Sequence, residues 1–124
     1  MNSGDTFLRP ACSTSDERQH LWIVVTSPNN QNLVLIVNIT SFKSWQDQTV
    51  TLNAGEHPFI TETSCVFYRE AEIADNAKLD DAEKAGAILK RECCSKSIIG
   101  LIRDGVNASP HTKRAIKNFY NEYK

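Results

Sequence analysis

The chain has 124 residues, of which 40% are hydrophobic, and its formal net charge is −1. This length suits one compact domain, and the near-neutral charge gives no overall attraction to nucleic acid or to a membrane surface. The longest apolar run, "LVLIVNI" (33–39), is far shorter than the roughly 20 residues of a membrane-spanning helix. The first residues show no basic segment followed by an apolar one, so we expect no signal peptide.

Strand signals dominate residues 1–74. The β-branched and aromatic residues of "HLWIVVTSP" (20–28) predict a strand that stops at its proline, and "LVLIVNIT" (33–40) predicts a second, more fully buried strand. About five short strands separated by turns are typical of a small barrel or sandwich. The three other candidates are "GDTFLRPAC" (4–12), "TVTL" (49–52) and "SCVFYREAEI" (64–73).

Helical spacing replaces this pattern in residues 75–124. Because amphipathic helices must bury their apolar faces, we predict that this segment packs on the barrel within a single domain, 1–124. Ser95 and Ser109 are candidate N-caps, and Gly105 is a candidate helix end. The three helical stretches are "LDDAEKAGAILKREC" (79–93), "SKSIIGLIRDG" (95–105) and "SPHTKRAIKNFYNEY" (109–123).

Charge is divided unevenly between the two segments. Residues 1–74 carry four Lys or Arg against eight Asp or Glu, whereas residues 75–124 carry ten against seven. The last stretch, "HTKRAIKNFYNEYK" (111–124), contains four basic residues and one acidic residue. A local cationic surface and an ordinary solvated helix face are both compatible with this composition.

The cysteines give no sign of a metal site. None of the four forms a CxxC pair, and the three histidines do not lie at zinc-site spacing from them. We therefore expect reduced thiols in a cytoplasmic protein that has no metal and no other cofactor.

The order of the motifs points to a known group. "GDTFL" is followed by a polar loop, then by "HLWIVVTSP" and "VLIVNIT", and later by "SCVFYREAEI". Over residues 4–74 this order resembles the bacterial growth-inhibiting toxins of the PemK/MazF type, which share a small SH3-like barrel with the CcdB toxin. The resemblance implies that barrel, a toxin–antitoxin role and, for the RNA-cleaving members, metal-independent attack of a ribose 2′-hydroxyl on the adjacent phosphate.

The family's catalytic residues carry over only in part. By position, its threonine falls on Thr40, while its arginine falls at or beside Leu21, where this chain has none. His20 is adjacent and Arg18 lies two residues before it. Histidine can act as acid or base near neutral pH, so the resemblance implies a variant site with His20 and Thr40 as catalytic residues and Arg18 as a binding residue. A relative that kept the barrel and lost the chemistry is the alternative.

His57, in "GEHPF" (55–59), is the third catalytic candidate. Pro58 favours an extended backbone at the histidine and Gly55 supplies turn flexibility, which suits a structural corner. An acid–base role at the mouth of the barrel is the other interpretation.

Further residues are predicted to contact nucleic acid or a partner. Trp45 lies in a polar loop and could stack on bases, whereas Trp22 is assigned to the core. Ser64 and Tyr68 are four residues apart on a strand and should share one face, with Arg69 on the other.

Two function classes follow from these predictions. The first is a toxin-like cytoplasmic protein of a toxin–antitoxin system, acting as a metal-independent endoribonuclease on single-stranded RNA and controlled by an antitoxin-like partner. The second is a non-catalytic barrel module that binds a protein partner or nucleic acid. A homodimer or plain subunit with neither property stays open, and no membrane partner is expected.

Overall fold

The computed structural model describes residues 1–10, 19–41 and 47–124. In these ranges the protein is a β+α domain whose six antiparallel strands form one curled sheet, shaped like half a barrel, with three helices. The strands are β1 (Thr6–Pro10), β2 (Gln19–Val24), β3 (Leu33–Ser41), β4 (Thr51–Leu52), β5 (Ser64–Asp75) and β6 (Leu89–Arg91). The helices are α1 (Asn76–Lys84), α2 (Lys96–Ala108) and α3 (Arg114–Tyr123).

The strands lie in the order β4-β5-β3-β2-β1-β6. The apolar strands β2 and β3 occupy the middle of the sheet, which agrees with the burial predicted for β3, and two very short strands form its edges. No helix in the described part of the chain is both long and apolar enough to cross a membrane.

The sheet has a core on each face. On one face, β-sheet residues such as Leu21, Ile23 and Val37 pack with apolar residues of α2 and α3; we call this the α2/α3 face. On the opposite face, Trp22 and its neighbours pack with Leu79 of α1; we call this the α1 face. The alternation of side chains along each strand explains how adjacent residues reach different cores.

The predicted helix over residues 79–93 is wrong in its second half. Helix α1 ends at Lys84, Gly86 adopts a φ of +78°, and the chain then forms β6 at the edge of the sheet. Leu89 of β6 pairs with Leu8 of β1. A positive φ is open to glycine without steric cost, so the helix ends there and the chain turns back.

The boundaries of the last two helices also differ from expectation. Ser95 caps α2 as predicted, accepting a hydrogen bond of 3.3 Å from the backbone N–H of Ile98. Helix α2 nevertheless continues through Gly105 to Ala108. Ser109 is the C-cap of α2 and not the N-cap of α3. A helix tolerates an interior glycine where another side chain needs the space of a missing Cβ, which is the case at Gly105.

Candidate functional site

Three polar residues lie at the same end of the neighbouring strands β1, β2 and β3. Arg9 of β1 pairs with His20 of β2. The observed pairing of β2 with β3 ends at Leu21 and Ile39, and continuing this register by one residue sets His20 opposite Thr40. Residues directly opposite in antiparallel strands project from the same face, with Cβ atoms about 4.5–5.5 Å apart. We call Arg9, His20 and Thr40 the polar row.

The polar row lies on the α1 face. Arg9 is two residues from Phe7 and His20 is two residues from Trp22, and both aromatic side chains belong to the core on that face. His20 and Thr40 are each half-buried, so they remain reachable from solvent.

Two contacts fix the guanidinium of Arg9. Its Cζ lies 3.9 Å from the centre of the Trp22 ring. Its Nη2 and Nη1 donate to the two carboxylate oxygens of Glu72 at 2.8 and 3.3 Å. Stacking on an aromatic ring together with a bidentate carboxylate orients the planar group more firmly than either contact would alone. The row therefore ends in an arginine whose orientation is set before any ligand arrives.

Asn38 adds an unused hydrogen-bond acceptor beneath the row. It pairs with Trp22 in the register, and its side chain is buried, with 4% exposure. Its Nδ2 donates to Oε2 of Glu70 at 3.0 Å, while its Oδ1 is buried without a hydrogen-bond partner. Such unpaired groups are rare because they cost free energy, so Oδ1 is a candidate acceptor for a donor on a ligand.

A bulge in β5 brings Glu70 and Glu72 to the α1 face. Ile36 pairs with Glu72 and Asn38 with Phe67, so one residue of β3 faces a longer stretch of β5. A bulge of this kind re-aims side chains relative to the regular alternation. It places both carboxylates near the polar row.

His57 does not join His20 and Thr40. It is 2% exposed, and its Nδ1 accepts from the backbone N–H of Phe59 at 3.1 Å. The ring proton therefore resides on Nε2, which donates to the carbonyl oxygen of Glu92 at 2.6 Å and lies 3.4 Å from Oγ1 of Thr6.

The contact with Thr6 also places His57 on the other side of the sheet. Thr6 precedes Phe7 on β1, so its side chain projects from the α2/α3 face, opposite the polar row. Both ring nitrogens of His57 are engaged by backbone groups, an arrangement that matches the corner interpretation.

The predicted binding residues on β5 have separate environments. Ser64 and Tyr68 share the α2/α3 face as predicted, but both are buried. Ser64 donates to the carbonyl oxygen of Glu62 at 3.0 Å, and Tyr68 donates to that of Ile102 at 2.7 Å. Burial raises the pKa of Tyr68 far above its ordinary value.

The burial of Ser64 and Tyr68 leaves them little or no side-chain surface for a ligand. Arg69 is exposed. The other two predicted binding residues, Arg18 and Trp45, lie outside the described residues.

Sequence reasoning missed three parts of this site: Arg9, Asn38 and the pair of glutamates on β5. The clearest available signal was Asn38, a lone amide in the otherwise apolar run "LVLIVNI". Arg9 gave a weaker signal, as a charged residue at the end of a short apolar stretch. Its proximity to His20 depends on the pairing of β1 with β2, which the sequence does not display.

Within the described residues, no group of three or more His, Cys, Asp or Glu side chains is placed to hold a metal ion. Comparison with known proteins adds no assignment: no family model matches the chain, and no curated protein matches it. The resemblance to the PemK/MazF-type toxins therefore rests on the quoted motifs.

Proposed function

We propose that this protein is a toxin-like cytoplasmic endoribonuclease, built on an SH3-like barrel of the PemK/MazF type, that cleaves single-stranded RNA without a metal ion. The observation that carries the proposal is the polar row. It joins the two residues implied by the resemblance, His20 and Thr40, and adds an arginine that the sequence motif lacked. An antitoxin-like protein is the partner that would restrain this activity.

In the proposed reaction the ribose 2′-oxygen attacks the adjacent phosphorus, and the bond from phosphorus to the 5′-oxygen breaks. His20 takes the proton of the attacking 2′-hydroxyl, and the departing 5′-oxygen is protonated by water. The products are a 2′,3′-cyclic phosphate and a free 5′-hydroxyl.

The other two residues of the row act on the phosphate. The guanidinium of Arg9 stabilises the negative charge that develops on the non-bridging oxygens, and the Thr40 hydroxyl donates a hydrogen bond to one of them. Asn38 Oδ1, which lacks a partner in the described structure, accepts a hydrogen bond from the substrate and orients it.

The test is cleavage of single-stranded RNA by the purified protein in EDTA, with detection of the cyclic phosphate. We expect His20→Gln and Arg9→Lys each to lower the rate about 100-fold or more. His111→Gln and Arg114→Lys are matched controls, because both residues are exposed and lie outside the polar row. His111 is in the connection between α2 and α3, and Arg114 is the first residue of α3. Intact RNA with the unmodified protein, or full activity in His20→Gln, would overturn the proposal.

One observation favours the alternative of a non-catalytic binding module. Arg9 already forms an ion pair with Glu72, and Glu70 accepts a hydrogen bond from the neighbouring Asn38. Two carboxylates therefore lie beside the one arginine at the place where a phosphate would have to bind. Carboxylates repel phosphate oxygens, and this arrangement suits a protein partner better than RNA. Growth arrest on expression without RNA cleavage, unchanged in His20→Gln, is the outcome that supports the module.

A further inference from the structure

A polar cleft lies at the opposite end of β2 and β3 from the polar row. It has a volume of about 380 Å³ and is formed by the N-terminal turn, the β2–β3 connection, the middle of α2 and the C-terminal end of α3. The residues that line it include Ser3, Ser27, Asn29, Arg103 and Lys124, and none of its lining residues is an aspartate or a glutamate. It is independent of the proposed catalytic site.

Arg103 is the principal cation of the cleft. It is half-buried on α2, and no ion pair joins it to any residue that the structure describes. The ammonium of Lys124, by contrast, lies 5.9 Å from the centre of the Tyr120 ring and is partly directed to that ring. An arginine without a carboxylate partner has its guanidinium donors available for an anion.

Asn29 supplies a second donor in a fixed orientation. Its Oδ1 accepts from the backbone N–H groups of Gln31 at 3.0 Å and Leu33 at 2.9 Å, which holds the side-chain amide in one plane. Its Nδ2 is then buried without a hydrogen-bond partner. The two accepted bonds also assign the amide, since backbone N–H groups require the oxygen and not the nitrogen.

Ser27 adds a third donor. Its Oγ accepts from the backbone N–H of Ser3 at 3.2 Å, and no contact in the described structure uses its hydroxyl proton. Ser3 is committed differently, because its own hydroxyl donates to the carbonyl oxygen of Val25 at 2.8 Å. Arg103, Asn29 and Ser27 therefore present hydrogen-bond donors, with no aspartate or glutamate side chain among the lining residues to compete for them.

We propose that this cleft binds a small ligand through an oxyanion, either a phosphate group or a carboxylate. A planar guanidinium, an amide N–H and a hydroxyl are the donors that recognise such groups, and the ligand oxygen would satisfy the unpaired Nδ2 of Asn29. The volume lies near the lower end for ligand pockets, which fits a small metabolite.

The proposal is tested by NMR titration of the full chain with inorganic phosphate and, separately, with acetate. We expect saturable shifts centred on Ser27, Asn29 and Arg103, with a Kd of about 1 mM or tighter for one of the two anions. Saturation by phosphate identifies a phosphate ligand and saturation by acetate a carboxylate ligand. Saturation by neither anion overturns the proposal.

Variants separate this site from general attraction to basic residues. Asn29→Asp keeps the oxygen that accepts from Gln31 and Leu33 but replaces the donor, so we expect binding at least about tenfold weaker. Arg103→Gln should weaken it similarly. The matched controls are Asn118→Asp and Arg114→Gln, both exposed on α3. Thermal unfolding confirms that each variant is folded, and shifts that persist in both cleft variants would overturn the proposal.

Discussion

Tyr68 and Gly105 approach each other so closely that the glycine has no room for a side chain. A Cβ atom at position 105 would lie 2.7 Å from Cζ of Tyr68 and 2.7 Å from Cγ2 of Val50, well inside van der Waals contact. This approach allows the Tyr68 hydroxyl to reach the carbonyl oxygen of Ile102 inside the core. Gly105 therefore allows α2 to pack closely against Tyr68 of β5.

We predict that Gly105→Ala lowers the free energy of unfolding by about 1–3 kcal/mol, because the added methyl group forces the helix and the sheet apart. Gly100→Ala is the matched control in the same helix. A Cβ there meets nothing within 4 Å, and alanine favours the helix by roughly 0.5–1 kcal/mol. Urea denaturation of the two variants measures the difference, and equal stabilities would contradict the predicted clash.

The hydroxyl of Tyr68 accounts for part of that clash and for one buried hydrogen bond. Tyr68→Phe alone should cost about 0.5–1.5 kcal/mol, because the bond to Ile102 is lost. In the Tyr68→Phe background, Gly105→Ala should cost less than in the unmodified protein, since the oxygen nearest to the new Cβ is gone. A double-mutant cycle by urea denaturation tests this, and strictly additive costs would show that the hydroxyl does not contribute.

The sequence predicts the middle of the sheet better than its edge. Strands β2 and β3 are rich in β-branched residues and end at turn residues, so local pattern is enough to identify them. β6 is three exposed residues that follow a helix and continue its apolar spacing. Only the pairing of its three residues with β1, which is far away in the chain, makes that segment a strand.

The candidate site shows the same division between local and long-range information. His20 and Thr40 can be selected from their places at strand ends, yet their alignment with Arg9 requires the register of three strands. The partner of His57 is likewise remote, since Glu92 lies beyond β6. Pro58 and Gly55 predict a corner in the chain, but they do not indicate which groups form hydrogen bonds with the imidazole of His57.

We predict that His57→Ala destabilises the protein by about 1–3 kcal/mol, because the carbonyl oxygen of Glu92 and the N–H of Phe59 lose a buried partner. RNA cleavage per folded molecule should stay unchanged, since the polar row is on the other face. Urea denaturation and the cleavage assay measure the two effects, with His111→Ala as an exposed control. Lost cleavage at unchanged stability would instead assign His57 to catalysis.

Asp47 connects the segment before β4 to the end of α2. Its Oδ1 accepts from the backbone N–H and the hydroxyl of Thr49 at 2.9 and 2.6 Å, and its Oδ2 accepts from Ser109. Burial acts to raise the pKa of this carboxyl, but the hydrogen bonds from Ser109 and Thr49 outweigh it and hold the pKa below the ordinary value of 3.8.

A depressed folded-state pKa means that the ionised carboxylate stabilises the fold above its unfolded-state pKa. This stabilisation is lost as the pH falls through the folded-state value. We predict that Asp47→Asn costs about 1–3 kcal/mol at neutral pH and clearly less in strong acid, where the unmodified carboxylate is protonated. Urea denaturation across acid pH tests this, with the exposed Asp81→Asn as control. A cost independent of pH would contradict the assigned role.

Cys93 is exposed, yet its thiol is held in the protonated form. Its Sγ donates to Oδ1 of Asp5 at 3.3 Å. This hydrogen bond is the main cause of a raised pKa at Cys93, and burial and the negative charge of Asp5 act in the same direction. Because the thiolate is the reactive form, the neighbouring aspartate should protect the exposed cysteine from alkylation.

We predict that Asp5→Asn speeds the alkylation of Cys93 by iodoacetamide at mildly alkaline pH by about two- to tenfold, because the carboxylate no longer favours the thiol. Tandem mass spectrometry assigns the rate to each cysteine. Cys94 is the internal control, since burial raises its pKa to about 11 and Asp5 is not among the causes. It should react slowly in both proteins. An unchanged rate at Cys93, or an equal acceleration at Cys94, would show that access and not the aspartate controls the reaction.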